Sequence, residues 1–230
     1  YNPATLSLVK QYVGEDVTKS AYYLASLRKD GRYSETEGWH KLHLNAELNP
    51  AAANDSDAYV QIEKALEVIR NHKSHSTKEV RFAINTVINL VIDMHNISNV
   101  VIEGIPQSGT DFQFQSSKGS ANGRPAKLFP YSWKDLWTVR YPQQHAAYNP
   151  AMWATDLEIM FGDKKSEFTS GTLRDWAADM GRDTKRVHRL LEANNGQFLH
   201  ATVQAHESLH MSCMGRAAYR IAALLNENLK

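Results

Sequence analysis

The chain has 230 residues, of which 42% are hydrophobic and 22% are charged, as in an ordinary globular protein. Its formal net charge of +1 at pH 7 excludes the strong basic field that drives non-specific nucleic-acid binding. Its one cysteine, Cys213, excludes an internal disulfide and a zinc site built from cysteines. No window approaches the roughly 18 consecutive apolar residues of a membrane span. At this length the chain could be one large domain or two small ones. We expect a monomer with no membrane span.

Helices are predicted first in residues 51–103, which contain neither glycine nor proline. Spacings of three, four and three residues, typical of an amphipathic helix, separate Tyr59, Ile62, Leu66 and Ile69. Ser76 and Glu79 then form the pattern of a capping box, which predicts a second helix from about 77 to 98. Because that helix is apolar on most sides, we expect it in the middle of a helical bundle.

Polar residues form one stripe on this central helix. Asn85, Asn89 and Asp93 are four residues apart, and Asn96 follows after three. Two interpretations are open. In one, the side chains form a hydrogen-bonded network in the core, as most buried polar groups do. In the other, they face a metal or a substrate between helices.

A long loop is predicted at about 103–130. The run "IEGIPQSGTDFQFQSSKGSANGRPAKLFP" is rich in glycine, proline and serine and has one short alternating segment, Asp111 to Gln115, which is typical of a small β-hairpin. After it, helices are predicted within 131–137, 149–163 and 170–180, followed by a long helix in 196–230. The sequence thus predicts an all-α, single-domain helical bundle.

The run "HESLH" has the spacing of a metalloprotease zinc helix, with His206 and His210 four residues apart and Glu207 between them. A zinc enzyme needs a third protein ligand. The extended motif would place glycine and histidine where this chain has Cys213 and Arg216. We therefore interpret the two histidines as helix-surface residues and keep a zinc peptidase as a less favoured hypothesis.

Several runs, collinear over nearly the whole chain, resemble one family. They are "YYLASLRKDGRYSETEGWHKLHL", "INLVIDMHNISNVV", "TDFQFQ", "YSWKDLWT", "GTLRDWA" and "AAYRIAALLNENL". The family is that of the trinuclear zinc single-strand nucleases of the mung bean nuclease (S-one/P-one) type. The resemblance implies the all-α fold that these enzymes share with zinc-dependent phospholipase C.

The resemblance also implies a zinc site with most of its ligands replaced. The family's three zinc ions polarise phosphate and activate water. Of the ligands carried over one at a time, only His40 and Asp93 remain. The other positions hold residues that are poor zinc ligands or carry the wrong charge: Leu6, Lys29, Asn89, Asn99, Lys134 and Thr138. We therefore expect zinc to be absent, or at most one ion to bind.

The function implied is that of a catalytically impaired member of the nuclease family. Its cleft, with Asn89, Asn99 and Asp111, would bind a nucleotide, a phosphate ester or single-stranded nucleic acid. One alternative is an active metal-dependent nuclease or phosphodiesterase with a smaller metal site rebuilt around His43, His95 or Asp30. Another is a purely structural or interaction protein. The family's export implies a periplasmic or secreted location, and Tyr1 would then follow either a removed signal peptide or a trimmed start. We expect residues 1–230 to form one nuclease-like domain.

Overall fold

The computed structural model describes residues 2–29, 31–52, 55–106, 113–117, 128–132, 150–193, 197–198 and 200–230. For some of these the description covers the backbone alone: 113–117, 128–132, 150, 197–198 and 200–205. Of the helix predicted at 131–137 only Tyr131 and Ser132 are described, and they lie in a strand instead. Tyr1, Asp30 and Asp111 lie outside the described residues.

The described chain is all-α, as the sequence predicts. Its α-helices are α1 (Pro3–Val13), α2 (Tyr23–Lys29), α3 (Ala58–Arg70), α4 (Thr77–Met94), α5 (Pro150–Phe161), α6 (Lys165–Thr169), α7 (Leu173–Ala193) and α8 (His200–Asn228). Short 3-10 helices connect them at Val17–Tyr22, Ser34–His40, His72–Ser74, Ile97–Asn99 and Gly162–Lys164. None of the helices in the described ranges is both long enough and apolar enough to cross a membrane.

Helix α4 lies at the centre of the bundle and packs against α1, α2, α3 and α8. It begins with the predicted capping box. The Glu79 amide donates to Ser76 Oγ at 3.3 Å, and the Ser76 amide donates to Glu79 Oε2 at 2.8 Å. The amphipathic face predicted for α3 is confirmed too, because Ile62, Leu66 and Ile69 are all buried.

The prediction that α4 continues to about residue 98 is wrong, because it ends at Met94. The Asn96 side chain accepts hydrogen bonds from the Ser98 amide at 3.0 Å and the Ser98 hydroxyl at 2.8 Å. Asparagine side chains that bond to nearby backbone in this way compete with helix continuation. The chain turns there through Ile97–Asn99 into a strand.

Two small sheets accompany the helices. Strands β1 (Leu42–Leu44) and β2 (Val100–Ile102) are parallel, with Leu42 opposite Val100. Strands β3 (Gln113–Ser117) and β4 (Leu128–Ser132) form an antiparallel hairpin, and β5 (Gln197–Phe198) pairs in parallel with β3. The hairpin predicted in the 103–130 loop is therefore confirmed in the described residues.

The C-terminal helices are longer than, or shifted from, their predicted bounds. Helix α7 has 21 residues, and α8 begins at His200 because Gln197–Phe198 is in a strand. The main hydrophobic core collects residues from α1, α3, α4, α7 and α8, while Phe161, Phe168 and Met211 form a second, smaller cluster.

Candidate binding site at His40 and Asp93

The pairing of β1 with β2 brings two distant parts of the chain together. His40 ends the 3-10 helix just before β1. Asp93 lies in the last turn of α4, six residues before Asn99, and β2 begins directly after Asn99. With Leu42 opposite Val100, the two side chains meet although they are 53 residues apart in sequence. The structure thus brings together the two residues that the resemblance implies as zinc ligands.

His40 and Asp93 form a close hydrogen-bonded pair. His40 Nδ1 lies 2.6 Å from Asp93 Oδ2, and both side chains are about one-fifth exposed, at 20% and 22%. Asn89 Nδ2 donates to the same carboxylate oxygen at 3.1 Å, while Asn89 Oδ1 accepts from the Leu24 amide at 3.3 Å. Asn89 therefore fixes the Asp93 carboxylate and connects α4 with α2.

Arg28 completes this site, and no motif in the sequence predicts it. Its Nη1 contacts His40 Nε2 and also lies 3.5 Å from the Thr36 carbonyl oxygen. With Nδ1–H donating to Asp93, His40 Nε2 accepts from Arg28, which assigns a neutral ring. The one available signal is position, because Arg28 precedes Lys29, where the resemblance places a zinc-binding aspartate.

These residues do not fit a zinc ion. A zinc ligand needs the lone pair on His40 Nε2, which Arg28 occupies, and the guanidinium places a positive charge there. Two unit charges about 4 Å apart near a protein surface interact by about 4 kcal/mol, so the guanidinium strongly opposes a divalent cation. In the described ranges, no three His, Cys, Asp or Glu side chains are grouped so that they could hold a metal.

Asn99, expected to contact substrate, lies at the edge of the same site. Its Nδ2 donates to the Asp93 backbone carbonyl at 3.2 Å and so supports the end of α4. Asp111, the third residue expected to contact substrate, lies outside the described residues, so its place relative to Asn89 and Asn99 stays a prediction.

An aromatic cavity of about 410 Å³ is lined by Trp39, the residue before His40, but not by Arg28, His40 or Asp93 themselves. Phe82, seven residues before Asn89 on α4, stacks on Tyr33 with ring centroids 5.2 Å apart and meets the edge of Trp39 at 6.2 Å. Lys64 and Lys78 also line the cavity. Tyr33 has φ 58° and ψ 44°, a left-handed conformation that costs a non-glycine residue about 1–2 kcal/mol.

The histidines of the alternative metal site have other partners. His43 Nδ1 lies 3.0 Å from the buried Asp57 carboxylate. His95 Nδ1 donates to the Val91 carbonyl at 2.7 Å, and its Nε2 accepts from Arg220 Nη1 at 2.9 Å. Burial, with the nearby Arg220 guanidinium, holds the pKa of His95 well below its usual value. This arrangement uses both ring nitrogens of His95.

The interpretation of "HESLH" as carrying surface histidines is wrong. His206 and His210 are 1% and 8% exposed, because α8 is covered by neighbouring helices along this face. The two rings line separate cavities, His206 beside α7 and His210 beside α5. Burial, with the charge of Arg186, lowers the pKa of His206 to about 4.

Comparisons with models of known protein families and with characterised proteins give no match to this chain. The nuclease-type resemblance therefore rests on the sequence runs quoted above, and the function that it implies remains to be argued from the geometry of the site.

Proposed function

We propose that this protein is a catalytically impaired relative of the single-strand nucleases that binds a nucleotide or a related phosphate ester without cleaving it. One observation carries the proposal: the Arg28 guanidinium contacts His40 Nε2, where a catalytic metal would need to bind. Without a metal, the site lacks the group that polarises phosphate and activates water in the family.

Arg28 supplies a binding group for phosphate in place of the metal. Its Nη1 is used by His40 and Thr36, while Nε and Nη2 make no hydrogen bond to another residue that the structure describes. A guanidinium presents planar pairs of donors that match two phosphate oxygens. Arg28 is partly exposed, so a phosphate could reach these donors without a rearrangement of the core.

The aromatic cavity supports a nucleotide over a simple phosphate ester. Phe82 and Asn89 lie on the same face of α4, about 10 Å apart at 1.5 Å per residue. Asn89 is linked to Arg28 through Asp93 and His40. We therefore place the base of a nucleotide against Tyr33, Trp39 or Phe82 and its phosphate at Arg28. Stacking on an aromatic ring contributes about 1–3 kcal/mol per base and is tolerant of base identity.

Isothermal titration of the protein with AMP, adenosine and ribose 5-phosphate tests this proposal. We expect AMP to bind more tightly than either part alone. Arg28→Gln should weaken AMP and ribose 5-phosphate while leaving adenosine unchanged, and Trp39→Ala should weaken AMP and adenosine. Arg32→Gln, an exposed arginine four residues away, is the matched control and should change nothing.

Two results would contradict the proposal. One is zinc-dependent cleavage of single-stranded DNA that is lost in His40→Ala, together with close to three zinc ions per chain by elemental analysis. The other is the absence of binding by all three compounds at concentrations up to about 10 mM. A dissociation constant above that value means a binding free energy weaker than about 3 kcal/mol.

A further inference from the structure

A second cavity, of about 630 Å³, lies between α6, α7 and α8, and none of Arg28, His40 and Asp93 lines it. Its lining carries equal numbers of acidic and basic side chains: Glu167, Asp179, Asp183, Arg186, Arg216 and Arg220. A lining of zero net charge disfavours a ligand with a large net charge of either sign, because half of the charged groups would repel it.

The Arg220–Asp179 pair belongs to the protein core. Arg220 Nη2 lies 2.5 Å from Asp179 Oδ2, its Nε donates to the Phe168 carbonyl at 2.8 Å, and its Nη1 contacts His95. The guanidinium also lies 5.0 Å from the centre of the Trp176 ring. All three nitrogens have partners, so Arg220 is not the group that a ligand would meet.

Arg216 differs, because Nη2 is its only nitrogen with a hydrogen bond to a described residue. Its Nη2 lies 2.5 Å from Asp183 Oδ2 and 3.3 Å from Cys213 Sγ. Its side chain is 11% exposed, and its buried Nε makes no hydrogen bond within the described part of the protein. An unsatisfied buried donor costs about 1–3 kcal/mol, and for a cationic donor the strongest acceptor is a carboxylate or another anionic oxygen.

Two charges at the rim have no ion-pair partner among the described residues: Arg186 on α7 and Glu167 on α6, both exposed. His206, which also lines the cavity, has a pKa lowered to about 4 and adds no positive charge at pH 7. The cavity is therefore lined by one unpaired cation, Arg186, by one unpaired anion, Glu167, and by Arg216, whose Nη1 makes no hydrogen bond to a described residue.

We propose that this cavity binds a small zwitterion of the α-amino acid class, with its carboxylate on Arg186 and Arg216 and its ammonium on Glu167. A ligand with both charges compensates both unpaired groups and leaves the Arg216–Asp183 pair in place. This site is independent of the nucleotide site proposed above.

Thermal unfolding with each of the twenty common amino acids, followed by titration calorimetry of the best binder, tests the proposal. We expect at least one amino acid to raise the midpoint of unfolding by several degrees. Its decarboxylated amine and its deaminated acid should each bind at least tenfold more weakly, because each lacks one of the two charges. Equal binding of the deaminated acid would overturn the zwitterion and indicate a simple anion site.

Substitutions at the exposed rim avoid damage to the core. Arg186→Ala and Glu167→Gln should each weaken binding at least tenfold. Arg189→Ala and Glu192→Gln, exposed residues of α7 outside the cavity lining, are the matched controls and should not change it. No binding of any amino acid at about 10 mM, or binding insensitive to Arg186→Ala, would overturn the proposal.

Discussion

The chemistry of the candidate site depends on one side chain, that of Arg28, through its contact with His40. The imidazole lone pair that could bind a metal accepts a hydrogen bond from the guanidinium instead. Asp93, on the other side of the ring, is held by both His40 and Asn89. A metal ion could enter only if Arg28 moved away. Substitution of Arg28 therefore measures how much this arginine alone opposes metal binding, apart from the replacement of the other zinc ligands.

We predict that Arg28→Ala raises the affinity of the protein for zinc at least tenfold, because it removes a positive charge and frees His40 Nε2. The affinity should stay weak, since His40 and Asp93 supply only two ligands. Competition titration with a zinc indicator measures the change, and Arg32→Ala is the control. Equal zinc affinity in wild type and Arg28→Ala would show that Arg28 does not exclude the metal.

Gly181 is a second residue whose role can be tested singly. It lies within α7, where alanine would usually stabilise a helix by about 1 kcal/mol. A Cβ at this position would lie 2.7 Å from Leu44 Cδ1 and 2.8 Å from Leu48 Cδ2. Leu44 is only 2% exposed, so its side chain has little room to move away in the packed core.

We therefore predict that Gly181→Ala lowers the free energy of unfolding by about 1–3 kcal/mol, the usual range for an overpacked core. Urea unfolding followed by circular dichroism measures this. Arg189→Ala, at an exposed position of the same helix, should stay within about 0.5 kcal/mol of wild type. A stabilised Gly181→Ala variant would mean that α7 and β1 can separate without cost.

At the scale of secondary-structure elements, Asp57 joins a strand to a helix. Its Oδ1 accepts from the Tyr59 and Val60 amides at the start of α3, and its Oδ2 accepts from the His43 amide and ring in β1. The carboxylate is 1% exposed. Its loss would leave several buried donors without an acceptor.

We predict that Asp57→Ala lowers the free energy of unfolding by about 3–5 kcal/mol, as expected when a buried charged partner is removed. Ser76→Ala, at the exposed capping box of α4, should cost only about 1 kcal/mol. Chemical denaturation of both variants gives the comparison. Similar losses at the two caps would indicate that burial of Asp57 contributes little.

Elements with local signals were predicted correctly, and elements fixed by distant contacts were not. The Ser76–Glu79 capping box and the face of α3 depend on residues within a few positions, so the sequence alone indicates them. Strands β1 and β2 have three residues each and pair across more than fifty positions, which leaves no local pattern. The same holds for Arg28, whose partner His40 lies twelve residues away across a turn.

At the scale of the whole molecule, buried histidines give the fold a dependence on pH. Burial lowers the pKa values of His95, His188 and His206, the last to about 4. In the unfolded chain each would titrate near 6.5. Between about pH 6.5 and 4 the unfolded chain therefore binds more protons than the folded protein, and stability falls as pH decreases.

We predict that the free energy of unfolding is greatest above about pH 6.5 and falls by up to about 3 kcal/mol from His206 alone as pH approaches 4. Denaturant unfolding at a series of pH values measures the slope. His206→Gln should flatten it, whatever its effect on stability at pH 7, while His75→Gln, at an exposed position, should not. An unchanged slope in His206→Gln would contradict the prediction.

Arg220 also has a consequence for the order in which the protein can fold during its synthesis. Its partners Phe168, His95 and Asp179 precede it by 52, 125 and 41 residues. Until α8 has left the ribosome, the His95 ring, the Phe168 carbonyl and the face of Trp176 lack this side chain and stay in contact with water. The central helix can form early, but the bundle around it closes only when α8 arrives.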